Sequence, residues 1–98
     1  MLKIVASNQF KKDMKLAKKR GLKLDHLTEV VNTLAAQLPL SEKYRDHNLT
    51  GKYRGFRECH VEPDWLLIYR IEAGELELFL FHTSSHSDYS DFLNYYVF

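Results

Sequence analysis

The sequence of 98 residues contains few of the residues that cross-link or interrupt a chain: one cysteine, two prolines and four glycines. A disulfide needs two cysteines, so the single Cys59 excludes an internal disulfide and favours a reducing compartment. We interpret Cys59 as a half-buried strand residue and not as a nucleophile. The chain has no repeat, linker or low-complexity tract, and its length suits one domain over residues 1–98.

A long hydrophobic run is also missing. The longest apolar stretches, such as Trp65 to Tyr69, fall far short of the roughly 20 residues that a membrane-spanning helix needs. The N-terminal MLKIVASNQF lacks the long apolar segment of a signal peptide. Together these absences predict a cytoplasmic protein that does not contact a membrane.

Acidic residues are scarce in the first part of the chain. Up to Arg57, thirteen Lys and Arg stand against five Asp and Glu, a balance of +8. From Glu58 onward, Arg70 alone stands against eight acidic residues, a balance of −7, so the net charge is only +1. Such asymmetry indicates a basic surface that could meet phosphates, although charge alone slightly favours ordinary solvated helix faces.

The first forty residues have the spacing of a strand followed by two helices. Residues 2–6 predict a short opening strand. Ser7 or Asn8 can cap a helix that Gly21 ends, and an apolar stripe over 25–39 predicts a second helix. The short link between the helices indicates a helical hairpin.

Three further strands are predicted after a polar loop. They cover residues 51–62, 65–71 and 75–81, with the continuous apolar run in the middle typical of a central strand. Residues 87–98 fit either a short helix or a final edge strand. The order β-α-α-β-β-β plus a C-terminal tail predicts an α+β fold, with two N-terminal helices packed on a small, mainly antiparallel, twisted sheet.

The residues best suited to chemistry lie mostly between Asp46 and Tyr69. Histidine exchanges a proton near neutral pH, arginine holds phosphate, and tryptophan can stack on a base. Metal-free RNA cleavage needs a base for the ribose 2′-hydroxyl, an acid for the leaving 5′-oxygen, and cations for the developing charge. The chain offers all of these groups: His47, His60, Asp64, His86, Arg54 and Arg57.

A metal site is the competing use of these histidines. No pair of histidines has the H-x-x-x-H spacing on a predicted helix, and Cys59 has no partner cysteine. His82 and His86 are four residues apart, but on a strand-to-loop stretch. The sequence therefore predicts neither a metal nor another cofactor, and we interpret His26 as an ordinary helix residue.

Three spaced runs carry a resemblance to a known family: DHxLxG at 46–51, GFR at 55–57 and HVEPDWxLIY at 60–69. With them the chain resembles the RelE/ParE toxin superfamily, specifically its YafQ-type branch of ribosome-dependent mRNA interferases. The resemblance covers nearly the whole chain and implies a RelE-like fold. It also implies a type II toxin that cuts mRNA in the ribosomal A site and is neutralised by a cognate antitoxin.

The resemblance implies four catalytic residues. The family's active-site histidines match His47, His60 and His86, and its aspartate matches Asp64. His86 is then the leading general acid. His47 or His60, together with Asp64, is the general base or the group that orients it.

The resemblance and the chemistry together give five substrate-binding candidates: Arg54, Arg57, Trp65, His82 and Phe92. Arg57 is a candidate for holding phosphate. Trp65 matches the family's tryptophan and either stacks on a base or packs in the core.

The chain departs from the family at its C-terminal end. The family commonly shows Arg-Thr-Gly-Ser-His, whereas HTSSH stands at 82–86 here. The arginine that would neutralise transition-state charge is thus replaced by His82, which is only partly charged at pH 7. Tyr89 or Phe92 can stand in for the family's closing aromatic residue.

Three other functions fit parts of this pattern. A ParE-like gyrase inhibitor shares the fold but has no need of several acid–base residues. A catalytically weak toxin that acts mainly in an antitoxin-bound repressor complex is suggested by His82. An unrelated RNA-binding domain would place stacking aromatic residues on an open sheet face.

Overall fold

The computed structural model describes residues 1–85, which form two helices and a five-stranded sheet. The elements are β1 (Lys3–Ala6), α1 (Asn8–Lys19), α2 (Leu24–Ala35), β2 (His47–Asn48), β3 (Arg57–Glu62), β4 (Trp65–Glu72) and β5 (Glu77–Ser85). Two short 3-10 turns, Glu42–Tyr44 and Gly51–Tyr53, flank β2. The predicted tail, with His86 and Phe92, lies outside the described residues.

The sheet confirms the predicted α+β class. Its strand order is β1-β5-β4-β3-β2, with β1 parallel to β5 and every other pair antiparallel. The prediction for residues 51–62 was wrong at its start, because β3 begins only at Arg57. Gly51 and Gly55 have φ values of 67° and 100°, a left-handed backbone that turns the chain and interrupts an extended strand.

Ser7 anchors the start of α1. Its hydroxyl oxygen accepts the Phe10 N–H at 2.9 Å, as predicted for an N-cap residue. The same hydroxyl donates to the Phe81 carbonyl of β5 at 2.6 Å. The cap therefore fixes both where the helix begins and where it rests on the sheet.

Both helices pack on one face of the sheet, called here the helix face. The core between them contains α2 residues such as Leu27 and Val30 and sheet residues such as Leu67 and Leu78, all at most 2% exposed. Each fully buried aliphatic side chain contributes roughly 1.5–3 kcal/mol relative to an exposed one. Cys59 belongs to this core and is fully buried, not half-buried as predicted.

The opposite face carries the residues that alternate with those of the core. Phe56, Phe79 and Phe81 form an aromatic cluster there, with 5.0 Å between the Phe56 and Phe81 ring centroids. The Arg70 guanidinium lies 4.7 Å from the Phe56 centroid and 5.2 Å from that of Phe79. This face also carries His47 and His60, which are described below.

Within residues 1–85, no helix has the length and apolar character needed to cross a membrane.

Candidate functional site

Two predicted catalytic histidines lie on either side of one carboxylate. His47 is the register partner of Glu58 across the β2–β3 pair. His60 follows Glu58 by two residues in β3 and therefore shares its face. The Nε2 atoms of His47 and His60 lie 3.5 Å and 3.9 Å from the same Glu58 Oε1. The strand register thus brings the two histidines together around a glutamate that the sequence analysis missed.

The backbone holds the other nitrogen of each ring. His47 Nδ1 is 2.8 Å from the Arg45 carbonyl oxygen, and His60 Nδ1 is 3.5 Å from that of Pro63. Arg45 has a left-handed φ of 49°, an uncommon conformation for a residue with a side chain. Each imidazole therefore has oxygen acceptors near both nitrogens, and a nearby carboxylate stabilises the positive charge of a ring that has gained a proton.

The three side chains differ in their exposure to solvent, and therefore in whether they can contact a substrate. His47 is 49% exposed and His60 19%, whereas Glu58 is 9% exposed. A substrate phosphate can therefore approach the histidines, and Glu58 can act only through them. We name these three residues, His47, Glu58 and His60, the histidine–glutamate group.

Asp64 lies beyond His60, in the exposed turn between β3 and β4. It lines a cavity of about 300 Å³ with Trp65 and Ser85, among others. Pro63 also lines that cavity and accepts the contact from His60 Nδ1, so the turn joins Asp64 to the histidine–glutamate group. The structure gives no direct contact between Asp64 and His60.

Trp65 is part of the core. Its ring is 2% exposed, and its Nε1–H donates to Thr83 Oγ1 at 2.8 Å. The Thr83 hydroxyl in turn donates to the Leu66 carbonyl at 2.7 Å. Of the two roles that the sequence left open, packing is the one this arrangement supports, because no ring face is exposed to a base.

His82 is buried too, which differs from its predicted role in binding substrate. It is 4% exposed, and its Nδ1 lies 2.6 Å from Asp13 Oδ2 on α1. The same oxygen accepts the Thr83 N–H at 3.0 Å, while Asp13 Oδ1 accepts from the Gln9 amide at 2.7 Å. In this position His82 ties β5 to α1 and presents little surface to RNA.

Arg57 points away from the histidine–glutamate group, because it alternates with Glu58 along β3. Its guanidinium binds Asp46 Oδ2 at 2.8 Å and also contacts Asn48. The hydrogen bond to Asp46 raises the pKa of Arg57, partly offset by burial. Arg57 therefore has a structural role, and an RNA phosphate would have to displace Asp46 in order to bind it. Arg54 is exposed, and its role in binding substrate stays a prediction.

His86 and Phe92 lie outside the described residues, so their predicted roles stay predictions. Within residues 1–85, no cluster of three His, Cys, Asp or Glu side chains has a geometry that could hold a metal ion. The predicted residues that the structure does unite are His47 and His60, with Asp64 in the adjoining turn.

Two comparisons by sequence point to one family. A family model described as a bacterial toxin of type II toxin-antitoxin system, YafQ, matches residues 2–91. The mRNA interferase toxin YafQ of Escherichia coli strain K12 is 46% identical over 66 residues, which cover 66% of this chain and 72% of that relative.

Solved structures agree with this result. A metal-bound toxin from Helicobacter pylori has a TM-score of 0.85 and 48% identity, covering 90% of this chain and 98% of that one. The toxin chain of an E. coli DinJ-YafQ toxin-antitoxin complex has a TM-score of 0.80 and 38% identity, covering 90% of this chain and 97% of that one. The architecture of the described residues is therefore that of these toxins.

Proposed function

The chain belongs to the YafQ family of bacterial toxins of type II toxin–antitoxin systems, and we propose that it cleaves mRNA on the ribosome by metal-independent acid–base catalysis. The E. coli relative is an mRNA interferase, and membership of its family makes this chain an endoribonuclease. The E. coli YafQ structure with DinJ supports a cognate antitoxin as the partner of this chain.

The histidine–glutamate group is the observation that carries the proposal. A base removes the ribose 2′-hydroxyl proton, the 2′-oxygen attacks the adjacent phosphorus, and the bond from phosphorus to the 5′-oxygen breaks. An acid then protonates the leaving 5′-oxygen, which leaves a 2′,3′-cyclic phosphate and a 5′-hydroxyl. His47 and His60 are exposed enough to reach these atoms and close enough to share one counter-charge.

The roles of the residues follow from exposure and from the family pattern. His47 or His60, with Asp64 in the adjoining turn as part of the base or its orienting group, takes the 2′-hydroxyl proton, and His86 protonates the leaving oxygen. Glu58 holds both rings and stabilises the charge they gain. Each acid–base step contributes roughly a hundred- to ten-thousand-fold to the rate.

Cleavage of a defined mRNA on purified ribosomes, mapped by primer extension, tests this proposal. We expect His60→Gln to lower the cleavage rate by roughly 10²–10⁴-fold. The matched control is His26→Gln, since His26 is an exposed histidine that lies 3.6 Å from Glu62 and outside the histidine–glutamate group. The control should cleave at a rate close to that of the wild type.

Two further arms of the experiment test ribosome dependence and metal independence separately. Omitting ribosomes should abolish cleavage if the activity depends on them. Adding EDTA should leave the rate unchanged, and this arm is informative because a metal-bound H. pylori toxin is among the similar structures. Intact message together with accumulated gyrase–DNA lesions would instead identify a gyrase inhibitor.

A further inference from the structure

The proposed reaction needs cations around the phosphate, and three of the basic side chains near the sheet are engaged elsewhere. Arg57 binds Asp46 on the helix face, and His82 is buried against Asp13. Arg70 stacks on Phe56 and Phe79. The negative charge that develops during cleavage therefore needs basic groups besides these three and the exposed Arg54.

Two such groups share a cavity with His60. A cavity of about 190 Å³ is lined by Lys43, Arg45, His60 and Pro63. Three of these four residues are bases and none is acidic, so the cavity favours an anion. From this cavity we infer that Lys43 and Arg45 form a binding subsite for an RNA phosphate against the His60 imidazole.

The local backbone places both side chains at this cavity. Lys43 lies in the 3-10 turn Glu42–Tyr44, and Arg45 ends that turn in a left-handed conformation, with its N–H donating to the Glu42 carbonyl at 3.0 Å. The Arg45 carbonyl oxygen also lies 2.8 Å from His47 Nδ1. One residue therefore links the phosphate subsite to both histidines.

Charge balance supports a phosphate at this subsite. In the part of the chain that the structure describes, neither Lys43 nor Arg45 has a carboxylate within ion-pair distance. Lys43 instead lies 5.0 Å from the centroid of the Tyr44 ring. Lysine binds phosphate as a point charge and arginine as a bidentate fork, so the pair suits a phosphodiester that approaches His60.

The surroundings confine the anion to this cavity. A neighbouring cavity of about 350 Å³ also borders Lys43, His60 and Pro63, but it adds the carboxylates of Glu29 and Glu62. A phosphate there would be repelled by like charge. Glu58 also lies near this imidazole, with its Oε1 3.9 Å from His60 Nε2.

The subsite rests on the proposed function, and a binding experiment tests it separately. The probe is a short RNA with every ribose 2′-O-methylated, which binds but has no 2′-hydroxyl to attack phosphorus. Binding is followed by NMR, since chemical shifts report even millimolar affinity, over a series of salt concentrations. The variants are Lys43→Gln, Arg45→Gln and both together. The matched control changes Lys18→Gln and Lys19→Gln on the exposed face of α1.

We expect the RNA to shift the His60 ring signals of the wild type. The double variant at Lys43 and Arg45 should raise Kd about tenfold, as expected for losing charge-assisted hydrogen bonds. Its slope of log K against log salt should also fall by about 0.7 for each phosphate of the single strand that the variant no longer neutralises. Cleavage on ribosomes should show a raised KM in the same variant, with the control close to the wild type.

Several results would overturn the subsite. One is an unchanged Kd and salt slope in the double variant, and another is an equal loss in the α1 control, which would indicate general charge attraction. A variant that binds RNA normally but loses the antitoxin would assign this surface to the antitoxin instead. A wild type that neither binds nor cleaves RNA would overturn the proposed function itself. Thermal unfolding of each variant verifies that it remains folded.

Discussion

At the scale of single residues, the Glu58 carboxylate has an environment that suits catalysis better than stability. Its side chain is 9% exposed, and burying a charge is costly unless a partner compensates it. Its partners are His47 and His60, which are charged only when they hold a second proton. Glu58 therefore gains most when one of the rings takes up a proton, as a general base does during cleavage.

The variant Glu58→Gln tests this role because it keeps the side-chain volume and removes the charge. We expect kcat to fall about ten- to a hundredfold with KM nearly unchanged, since the carboxylate stabilises a reacting imidazole and does not itself bind the RNA. Glu58→Asp, which restores the carboxylate, should recover part of the rate. Steady-state cleavage on ribosomes provides both constants.

Glu62→Gln is the matched control for that prediction. Glu62 lies 3.6 Å from the exposed His26, so it is a second Glu–His pair outside the histidine–glutamate group. Its loss should leave kcat within about twofold, because exposed ion pairs contribute little. Equal losses in the two variants would mean that Glu58 has no special connection to the reacting rings.

Residue type made His47 and His60 candidates and the family resemblance selected them, whereas Glu58 was missed because the strand register was not known. In a strand, the residue two positions before His60 must share its face, so the boundary of β3 was the needed information. The same alternation turns Arg57 to the helix face. The predicted strand began at residue 51, six residues before the observed start of β3. The residues that share a face of β3 could therefore not be assigned from the sequence.

At the scale of the elements, Asp13 joins α1 to β5. It is 8% exposed and accepts hydrogen bonds from Gln9 and from the Thr83 N–H, besides its contact with His82. Through Thr83, whose hydroxyl also accepts from Trp65, this carboxylate connects the helix to β4 as well. One buried side chain thus fixes how the helix lies on two strands.

We expect Asp13→Asn to lower the free energy of unfolding by about 3 kcal/mol, because loss of the carboxylate leaves the buried His82 ring and the Thr83 N–H poorly satisfied. Urea unfolding followed by circular dichroism measures the change. The control is Asp25→Asn, an exposed aspartate in the first turn of α2, whose loss should cost less than about 1 kcal/mol. Similar costs for the two variants would contradict the role of Asp13.

The elements that could be predicted are those long enough to show a period. Both helices have apolar residues spaced three and four apart, and Asp13 falls on that stripe between Phe10 and Ala17. Its position was therefore a readable signal of burial. β2 has only two residues, and its pairing with β3 depends on the left-handed Gly51 and Gly55 that reverse the chain. Such a strand leaves no pattern to detect.

At the scale of the whole molecule, two buried groups that lose a proton at alkaline pH, the Cys59 thiol and the Tyr69 hydroxyl, make the free energy of unfolding depend on pH. Burial raises the pKa of the Cys59 thiol to about 12, with Asp46 and Glu58 adding to the effect. Burial, followed by the hydrogen bond to Asp46, likewise raises the pKa of Tyr69. Both groups stay protonated in the folded chain over a range of pH where the unfolded chain releases their protons.

The consequence for stability follows from the number of protons bound in each state. Above a pH of about 8.5, the ordinary value for a thiol, the unfolded chain binds fewer protons than the folded one. The free energy of unfolding must then decrease as pH rises, by up to about 1.4 kcal/mol per pH unit for each such group. Below that pH the contribution of Cys59 is fully present, and it is lost progressively as pH rises towards 12.

Cys59→Ala isolates the contribution of the thiol. The variant loses packing at every pH, so its free energy of unfolding lies below that of the wild type by an amount that is constant between about pH 6 and 8. Above that range we expect the difference to narrow, because only the wild type loses stability through thiol ionisation in the unfolded chain. Urea unfolding from pH 6 to 10 measures both curves. Curves that stay parallel to pH 10 would show that the Cys59 thiol ionises equally in both states, whereas convergence would show that burial in the core controls its proton.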